Sequence, residues 1–599
     1  MSLLEFILTT HLQPVSLTIR ENESLLYDPK RQHWLHFQAP IAIKQAHTPQ
    51  NLHTLLHDVE HLVENEGYHA AGFVTYEAAK AFDEAFAVHP STHLPLAWFG
   101  LYPPPTPCLP KWPAPSTPST TWTPSISREH YDHAIQKVKA HIQAGDTYQV
   151  NYTFRMRSTL HEDPWHLFAR MIQSQGHEHY GAFIHTKEWA LCSASPEMFF
   201  VRDGETIHSE PMKGTVQRGT TLEDDRAHAD WLHHSEKNRA ENTMIVDMVR
   251  NDLTRIAERG SVHATRLFDI KKYATLWQMT SLVEAKTQAS LHEIFRELFP
   301  AASITGAPKI RTMELIKDLE PSPRGIYTGA IGMLAPDKQA QFNVAIRTVS
   351  VDKTNKQAEY GVGGGIVWDS QDHAEFEECQ TKTRVLIQTP RTFSLLETLL
   401  WTSGEGYPRL HFHLERLQQS ATYFSYPLPL SALTAQLKAL PQTFSQNPHK
   451  LRLLVAQDGS FHIESTPLPS PQQHPRRIAL DTQPLHSDET FLYHKTTQRD
   501  LYQQARHRHP KADDVLLYNE RGEVTETTIA NIAIAQDGQL WTPPVSSGLL
   551  PGTYRAYLLD KGTLQERVIR KDELCDGAEI YLMNGVRGLW KATLYKTAL

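Results

Sequence analysis

Acidic side chains recur at helical spacing in two segments, where they could ligate a divalent cation. In SEKNRAENTMIVDMVRNDLTRI (235–256), the positions three, four, seven and eight after Glu241 are all apolar. This predicts an amphipathic helix with Glu241 at the end of its buried stripe. Glu375 and Glu378 in DHAEFEEC lie three apart and share a helix face. Two such helices beside the glycine-rich run GVGGG (361–365) would suit Mg²⁺, which prefers oxygen ligands.

The same carboxylates also have purely structural interpretations. Glu241 could lie at the solvent edge of its helix. Asp372 and Glu375 have the spacing of a capping box, and Glu378 could pair with Lys382 one turn later. The spacing alone does not choose between metal ligation and these roles.

Eight motifs in the first two-thirds of the chain carry a family resemblance. They are GDTYQVNYTFR (145–155), SASPEMFF (193–200), PMKGT (211–215), RAENTMIVDMVRND (239–252), FPAASITGAPK (299–309), GIYTGAIG (325–332), FNVAIRT (342–348) and GVGGGIVWDS (361–370). In this order they resemble the chorismate-utilising enzymes, which include anthranilate, isochorismate and aminodeoxychorismate synthases. The resemblance covers residues 70–388.

The resemblance implies how chorismate, a dianion, would be bound. Glu241 and Glu378 would ligate Mg²⁺, with Glu375 in support. A metal ion and an arginine are suitable partners for two carboxylates. The expected carboxylate-binding residues are Gly214, Thr215, Tyr327, Arg347, Gly363, Gly364 and Gly365.

Lys213, within PMKGT, is the residue that selects the reaction. Family members that use water or ammonia directly usually lack this lysine, whereas aminodeoxychorismate synthases characteristically have it as a covalent nucleophile. The resemblance therefore implies attack of Lys213 on chorismate with loss of the 4-hydroxyl, followed by displacement of the lysine by ammonia. Glu197, in the SPE triplet, matches the general acid for the departing hydroxyl. Partial burial would lower the pKa of the lysine and make it nucleophilic.

Two positions depart from the family pattern. Gln278 stands where many relatives have a histidine, which serves pyruvate elimination in anthranilate synthases. Its absence argues against that activity. Asn238 stands where several relatives have a second acidic residue, so the outer shell of the metal site is expected to differ.

The last third resembles the fold-type IV pyridoxal-phosphate enzymes, which include branched-chain and D-amino-acid aminotransferases and aminodeoxychorismate lyase. The resemblance rests on SLLETLLW (394–401), HFHLERLQQSATYFSYPL (411–428), FLYHKTTQRDLY (491–502), NERGEVTETTIANIAI (519–534), LWTPPVSSGLLPGTYR (540–555) and IYLMNGVRGLW (580–590). Such enzymes need a lysine that carries the cofactor, a carboxylate facing its ring nitrogen and donors for its phosphate.

By this resemblance Lys495 is the cofactor lysine and Glu526 the carboxylate. Arg416 would bind the phosphate with help from Thr553, whereas Tyr554 departs from the threonine that is common at its position. The region around Arg416 is also a good amphipathic helix in its own right. The abrupt start at Ser394 leaves an inactive remnant open, and an aminotransferase remains an alternative to a lyase.

The amino-acid composition limits the classes of function that the protein can have. The 599 residues carry a formal charge of −8, which gives no electrostatic footprint for nucleic acid. The 34 histidines are scattered without metal-ligand spacing, and the four cysteines lie far apart, which indicates a reducing compartment. No stretch has the length and apolarity of a membrane helix, so we expect a cytoplasmic protein.

The pattern predicts an α/β (α+β) protein with two domains. Residues 1–388 would form a chorismate-binding domain, with an N-terminal part (1–125) and a catalytic core (126–388), in which β-sheets pack in the core and helices lie outside. Residues 394–599 would form a two-lobed pyridoxal-phosphate domain. Local signals predict an extended Pro/Ser/Thr-rich stretch at 103–125 and a helix capped by Ser127 and stopped by Gly145.

The expected function is 4-aminobenzoate synthesis for folate. Chorismate would be aminated by the first domain, and the second would eliminate pyruvate. Nothing resembles a glutaminase, so ammonia would come from a separate glutamine amidotransferase subunit or from solution. Fold-type IV relatives commonly dimerise, so a homodimer is expected through the second domain. The alternatives are an anthranilate synthase component I and a regulatory subunit that binds chorismate without turnover.

Overall fold

The computed structural model describes residues 12–91, 93–114, 120–176, 179–387, 392–444, 447–469, 475–574 and 578–595. The chain divides into two compact units. The first comprises Met1–Gln217 and Ala229–Pro390, and the second comprises Arg218–His228 and Arg391–Leu599. The short segment Arg218–His228 was not anticipated as part of the second unit. Within the described ranges, no helix is long and apolar enough to cross a membrane.

Two large sheets make up the middle of the first unit. The strands of one sheet are, in spatial order, Pro14–Val15, Thr106–Pro110, His33–Phe37, Glu23–Asp28, Tyr180–His185, Trp189–Ser195, Thr348–Asp352, Gln357–Ile366, Gln149–Thr159 and Gly306–Ala307, with Thr123–Pro124 beside Gln149–Thr159. The other has the order Met212–Gln217, Leu276–Lys286, Thr206–Glu210, Met198–Asp203, Gln339–Val344, Ala330–Ala335, His69–Val74, Ala97–Tyr102 and Ala42–Ala46, with His263–Lys272 beside Leu276–Lys286.

Helices cover the outer faces of the two sheets. A buried cluster with residues from both sheets, including Phe37, Phe73 and Leu191, fills the space between them. One further buried cluster lies between each sheet and the helices that cover it. This confirms the predicted α/β arrangement of sheets inside and helices outside. The helices of this unit are Pro49–Glu66, Ala79–Phe82, Arg128–Gln143, Pro164–Gln175, Glu236–Thr254, Leu291–Leu298, Lys309–Leu319 and Asp372–Ile387, and Leu222–His234 crosses from the second unit into the first.

The structure confirms some of the predictions made from local sequence signals and corrects others. The helix Arg128–Gln143 begins as predicted, with the Ser127 side chain accepting a hydrogen bond from the backbone of His130. Within the proline-rich stretch 103–125, Thr106–Pro110 is extended as predicted, but it also joins the fold, because it pairs with His33–Phe37. Prolines are tolerated there because a strand near a sheet edge need not donate every N–H. Residues 115–119 of the stretch lie outside the described part.

The helix Glu236–Thr254 exists, but its buried face differs from the prediction. Met244 is 38% exposed, whereas Asn242 is fully buried. The Asn242 amide donates to the Lys213 carbonyl and accepts from the Ser281 hydroxyl. These hydrogen bonds let a polar residue take a place that periodicity assigns to an apolar one.

The second unit has two lobes, as predicted. The first lobe contains the sheet Leu395–Trp401, His449–Val455 and Phe461–Pro467, with helices Leu410–Phe424 and Leu430–Ala439. The sheet of the second lobe has the order Val524–Thr527, Asp514–Tyr518, Arg476–Leu480, Gly588–Leu594, Glu579–Asn584, Asn531–Gln536, Gln539–Thr542 and Leu564–Glu566. It closes on itself because Val524–Thr527 also pairs with Asn531–Gln536. Helices Asp500–Arg508 and Thr553–Asp560 belong to this lobe.

The described cysteines Cys108, Cys192 and Cys379 are free and buried. Cys575 lies outside the described residues.

Candidate active site

A pocket of about 710 Å³ in the first unit brings the predicted residues of that domain together. Strands from both sheets and three α-helices contribute to it. Its lining includes Glu197, Lys213, Gly214, Thr215, Glu241, Tyr327, Arg347, Gly363, Gly364, Gly365, Glu375 and Glu378. Gln278 and Asn238, the two departures from the family pattern, also line it.

Lys213 is held at the end of the strand Met212–Gln217. The Asn242 amide donates to its backbone carbonyl at 3.3 Å. A Cβ atom on Gly365 would lie 2.7 Å from the Lys213 Nζ, so any side chain at this position would displace the amine. Burial lowers the pKa of Lys213; Glu241 opposes this effect, and Lys382 adds to it. The neutral, nucleophilic form of the amine is thereby favoured.

Glu197 is buried, with 5% of its surface exposed. The Ser303 hydroxyl donates a hydrogen bond of 2.6 Å to its Oε1. Burial raises the pKa of Glu197 to about 7, although Ser303, Lys213 and Lys382 act in the opposite direction. A carboxyl group with this pKa can donate a proton at neutral pH.

Glu375 and Glu378 are engaged with neighbouring groups. The Lys382 Nζ lies 2.8 Å from the Glu378 Oε1 and donates to the Gly363 carbonyl, which confirms the i,i+4 pairing suggested by the sequence. Glu375 accepts a hydrogen bond from the Ser370 hydroxyl rather than joining a capping box with Asp372. In the part of the chain that the structure describes, no group of three His, Cys, Asp or Glu side chains could hold a metal ion unaided.

The segment after Lys213 is positioned by Gln278. The Gln278 amide donates to the Gly214 carbonyl at 2.8 Å and accepts from the Thr215 hydroxyl at 3.1 Å. Gly214 has a φ of +96°, and a Cβ there would meet Asn238 at 3.0 Å. Both observations explain a glycine at this position.

Arg347 and Tyr327 both line this pocket but contact different neighbours. The Arg347 guanidinium donates to the Gln175 side chain at 2.5 Å. The Arg155 guanidinium lies 5.3 Å from the centre of the Tyr327 ring. A Cβ on Gly361 would collide with that ring, which lies directly against the glycine-rich strand.

A buried ion network lies behind Tyr327 and was missed by sequence reasoning. Glu320 accepts hydrogen bonds from the guanidinium groups of Arg155 and Arg324. Glu77 accepts from the backbone N–H groups of Arg324 and Gly325. Arg155 and Glu320 are 165 positions apart in the sequence, and Glu77 and Gly325 are 248 positions apart. No local sequence pattern could therefore reveal these contacts. The network fixes the turn that presents Tyr327.

In the second unit, Lys495 and Glu526 are close enough to influence each other's ionisation. Burial and Arg416 lower the pKa of Lys495 to about 8. Burial raises the pKa of Glu526 to about 7. The Tyr502 hydroxyl donates to Glu526 at 2.8 Å, and the Asn531 amide donates at 3.1 Å. These two hydrogen bonds fix the direction in which the carboxylate points.

Arg416 is paired with a carboxylate that sequence reasoning did not single out. Its Nε and one terminal nitrogen each donate to Glu397 at 2.8 Å, and its other terminal nitrogen donates to the Pro551 carbonyl. His413 also bonds to Glu397, at 2.6 Å. Arg416 and His413 lower the pKa of Glu397 to about 2 against the effect of burial.

The start of the helix Thr553–Asp560 can accept an anion. Among the described residues no side chain caps it, so its first N–H groups can face a ligand. A Cβ on Gly585 would lie 2.6 Å from the Thr553 hydroxyl and 2.9 Å from His413, so a glycine keeps this cradle open. Tyr554 instead packs against the Arg409 guanidinium, 4.9 Å from its ring centre.

Comparison with known families follows the same division of the chain. Residues 109–388 match the family model described as chorismate binding enzyme, and residues 394–595 match amino-transferase class IV. The chain joins a chorismate-binding enzyme domain to a class IV aminotransferase domain.

Two curated relatives each match just under half of the chain. Aminodeoxychorismate synthase component 1 of Escherichia coli (strain K12) is 36% identical over 274 residues, which are 45% of this chain and 60% of the relative. Anthranilate synthase component 1 1 of Haloarcula marismortui is 37% identical over 274 residues, 45% of this chain and 55% of the relative. The chain therefore spans less than two-thirds of either protein.

A solved structure has the same fold as the chorismate-binding domain. Anthranilate synthase component I from Streptococcus pneumoniae TIGR4 superposes with a TM-score of 0.51 at 22% identity, covering 63% of this chain and 94% of that structure. Because two activities occur among relatives of nearly equal identity, the choice between them depends on the site.

Proposed function

We propose that the chain makes 4-aminobenzoate from chorismate in two steps. The chorismate-binding domain aminates chorismate to 4-amino-4-deoxychorismate, and the aminotransferase-like domain eliminates pyruvate from that product. The observation that carries the proposal is the Lys213 amine, seated against Gly365 in a pocket that also holds the protonatable Glu197. The first step needs this pair.

In the first step, the neutral Lys213 amine attacks the chorismate ring. The ring carbon–oxygen bond to the 4-hydroxyl breaks, and Glu197 donates the proton that turns the hydroxyl into water. Ammonia then displaces the lysine. Lowered pKa at Lys213 and raised pKa at Glu197 support these opposite roles.

Mg²⁺ would be held by Glu241 and Glu378, with Glu375 nearby. The set fits because all donors are oxygens, and Mg²⁺ usually keeps several waters and needs one or two protein carboxylates. The ion would supply positive charge for a substrate carboxylate. Arg347, Tyr327 and the segment at Gly214 and Thr215 would bind the rest of the dianion, with backbone donors of Gly363, Gly364 and Gly365.

Pyridoxal phosphate fits the second domain. The open cradle at Gly585 and the uncapped helix at Thr553 suit its phosphate, together with Arg416, and the fixed Glu526 suits its ring nitrogen. When bound, the cofactor supplies an electron sink. Lys495 would hold it and take the proton from the amine-bearing ring carbon. Loss of pyruvate then makes the ring aromatic.

The ammonia would come from a separate glutamine amidotransferase subunit or from solution. The name "component 1" of the bacterial relatives supports a second component. A homodimer through the second domain stays a prediction, as does a cytoplasmic location.

The test is to incubate the purified chain with chorismate, Mg²⁺, ammonium and pyridoxal phosphate and to identify the aromatic product. We expect 4-aminobenzoate, which requires both domains. Anthranilate would contradict the role of Lys213. Accumulation of aminodeoxychorismate would contradict only the lyase assignment.

A further inference from the structure

The anion cradle at the start of the helix Thr553–Asp560 carries less positive charge than its residue types suggest. Arg416 donates two hydrogen bonds to Glu397, so these two side chains together have no net charge. Burial lowers the pKa of His413, which lies against the same cradle, so its ring is neutral at pH 7. The helix N-terminus adds only about half a positive charge. A phosphate group carries about 1.5 to 2 negative charges, most of which would stay uncompensated.

Arg409 is a cation beside this cradle with hydrogen-bonding capacity to spare. One terminal nitrogen of its guanidinium donates to the Gly585 carbonyl at 3.2 Å, which leaves its charge unneutralised. Its Nε is buried and has no hydrogen-bond partner among the described residues. A buried donor in this state costs free energy until an acceptor reaches it. Arg409 therefore has both the charge and the free donor that an anion would use.

The position of Arg409 is fixed by the residues that form the cradle. Its guanidinium lies 4.9 Å from the ring centre of Tyr554, the second residue of the helix, and 5.8 Å from that of Tyr557. Gly585, whose carbonyl it holds, faces the Thr553 hydroxyl. Arg409 also has a φ of +61°, a strained conformation for a residue with a side chain. Such strain persists only where the surroundings hold it, and it is typical of ligand-binding sites.

We propose that Arg409 is a second phosphate-binding arginine of the cofactor site, alongside Arg416. It would supply the positive charge that Glu397 cancels on Arg416, and the phosphate would offer an acceptor to its buried Nε. Tyr554 would hold the guanidinium in place through its ring. This inference rests on the proposed function of the second domain, because it takes pyridoxal phosphate as the ligand.

Two substitutions of Arg409 separate phosphate binding from folding. Glycine adopts a φ of +61° without strain, so Arg409→Gly should keep the thermal unfolding midpoint of the cofactor-free protein close to that of the wild type. Arg409→Met keeps an unbranched stem against Tyr554 but removes the charge. Ser425→Gly is the matched control, because Ser425 has a φ of +59° at the other end of the same helix, Leu410–Phe424. It therefore lies about 20 Å from Arg409 along the helix.

The measured quantities are the dissociation constants of pyridoxal phosphate and of pyridoxal, which has the same ring without the phosphate. Absorbance of the protein-bound ligand reports both. We expect both Arg409 variants to bind pyridoxal phosphate about tenfold more weakly, the effect of losing one hydrogen bond to a charged group. Their affinity for pyridoxal should equal that of the wild type, and Ser425→Gly should match the wild type for both ligands.

An unchanged affinity for pyridoxal phosphate in the Arg409 variants would overturn the inference. Equal weakening for the two ligands would overturn it as well, because the effect would then not depend on the phosphate. A wild-type chain that binds neither ligand would instead contradict the proposed function of the second domain, before any variant is compared.

Discussion

At the scale of single residues, the pocket of the first unit holds two groups whose ionisation is shifted in opposite senses. Burial makes Glu197 harder to deprotonate and Lys213 easier to deprotonate. Each shift moves its group toward the form that amination needs near neutral pH. The two residues are therefore best tested separately, by nucleophile removal and by pH.

Replacement of the nucleophile should stop the first reaction alone. In Lys213→Ala, we expect amination to be abolished or sharply reduced because no amine remains to form the adduct. Absorbance of bound pyridoxal phosphate should be unchanged, which reports an intact second domain. Lys213→Arg keeps the positive charge as a control and should be equally inactive. Undiminished amination in either variant would rule out the covalent role.

The pH dependence follows from the sign of the Glu197 shift. Glu197 must be protonated to act, and its pKa is raised to about 7, so the amination rate should fall as pH rises through about 7. Glu197→Gln should lose about 10²–10⁴-fold in rate, the usual contribution of a general acid. A pH–rate profile with a basic limb unchanged in this variant would disprove the assignment.

The cofactor lysine is tested in the same way. Lys495→Ala should lose the absorbance of protein-bound pyridoxal phosphate, and the pathway should stop at aminodeoxychorismate. Chromatography of the reaction mixture measures both products. Continued release of 4-aminobenzoate would refute the lyase assignment.

Sequence motifs identified the residues whose own chemistry is distinctive, but not the neighbours that orient them. Lys213, Glu197, Lys495 and Glu526 lie within recognisable motifs. Ser303 lies within a quoted motif too, yet its hydrogen bond to Glu197 joins positions 106 apart. Contacts of this kind depend on how strands are aligned in three dimensions, and no periodicity records that alignment.

At the scale of elements, the glycine-rich strand Gln357–Ile366 forms one wall of the pocket in the first unit. It pairs with Gln149–Thr159 along its full length, and its glycines leave room for side chains from other elements. The glycine-rich run GVGGG (361–365) lies in the second half of this strand. The sequence does not reveal which side chain from another element lies against each glycine.

Adding one methyl group to this strand should impair catalysis more than folding. In Gly365→Ala, the Cβ would lie 2.7 Å from the Lys213 Nζ and 2.6 Å from the Gln149 amide nitrogen. Both are ends of side chains and can shift, so the thermal unfolding midpoint should change little. A displaced nucleophile should lower the amination rate by about 10²-fold.

Gly404→Ala serves as the control, because a Cβ atom on Gly404 would have no described neighbour within 4 Å. This variant should retain wild-type amination. Equal activity in the two variants would show that Lys213 does not depend on the space at Gly365.

The helix Glu236–Thr254 illustrates the limit of periodicity within one element. Its existence and approximate bounds were predictable from apolar spacing. Which face of the helix is buried was not predictable, because the side chain of the buried Asn242 forms hydrogen bonds with residues on two strands. The helix therefore buries Asn242 and leaves Met244, a member of the predicted apolar stripe, exposed.

At the scale of the whole molecule, each unit has its own core and its own site. The fold class and the two-lobed second domain were predictable because ordered motifs specify a family better than they specify contacts. The assignment of Arg218–His228 to the second unit was not predictable, since those residues lie within the match to the chorismate-binding family.

Removal of divalent cations should separate the two activities. With a chelator present, amination of chorismate should stop, because Glu241 and Glu378 would have no ion to offer the substrate. Conversion of added aminodeoxychorismate to 4-aminobenzoate should continue at its normal rate. Restored Mg²⁺ should recover the first activity, and amination that persists in chelator would contradict the metal site.

The crowding around the glycine-rich strand also has a genetic consequence. A host that cannot make 4-aminobenzoate would grow only if this chain supplied it, so growth would score every variant in a random library. Most single-base changes in a glycine codon introduce a larger side chain. Codons 361, 363 and 365 should therefore tolerate almost no change in such a selection, because side chains at these positions would collide with the Tyr327 ring, the neighbouring strand or Lys213.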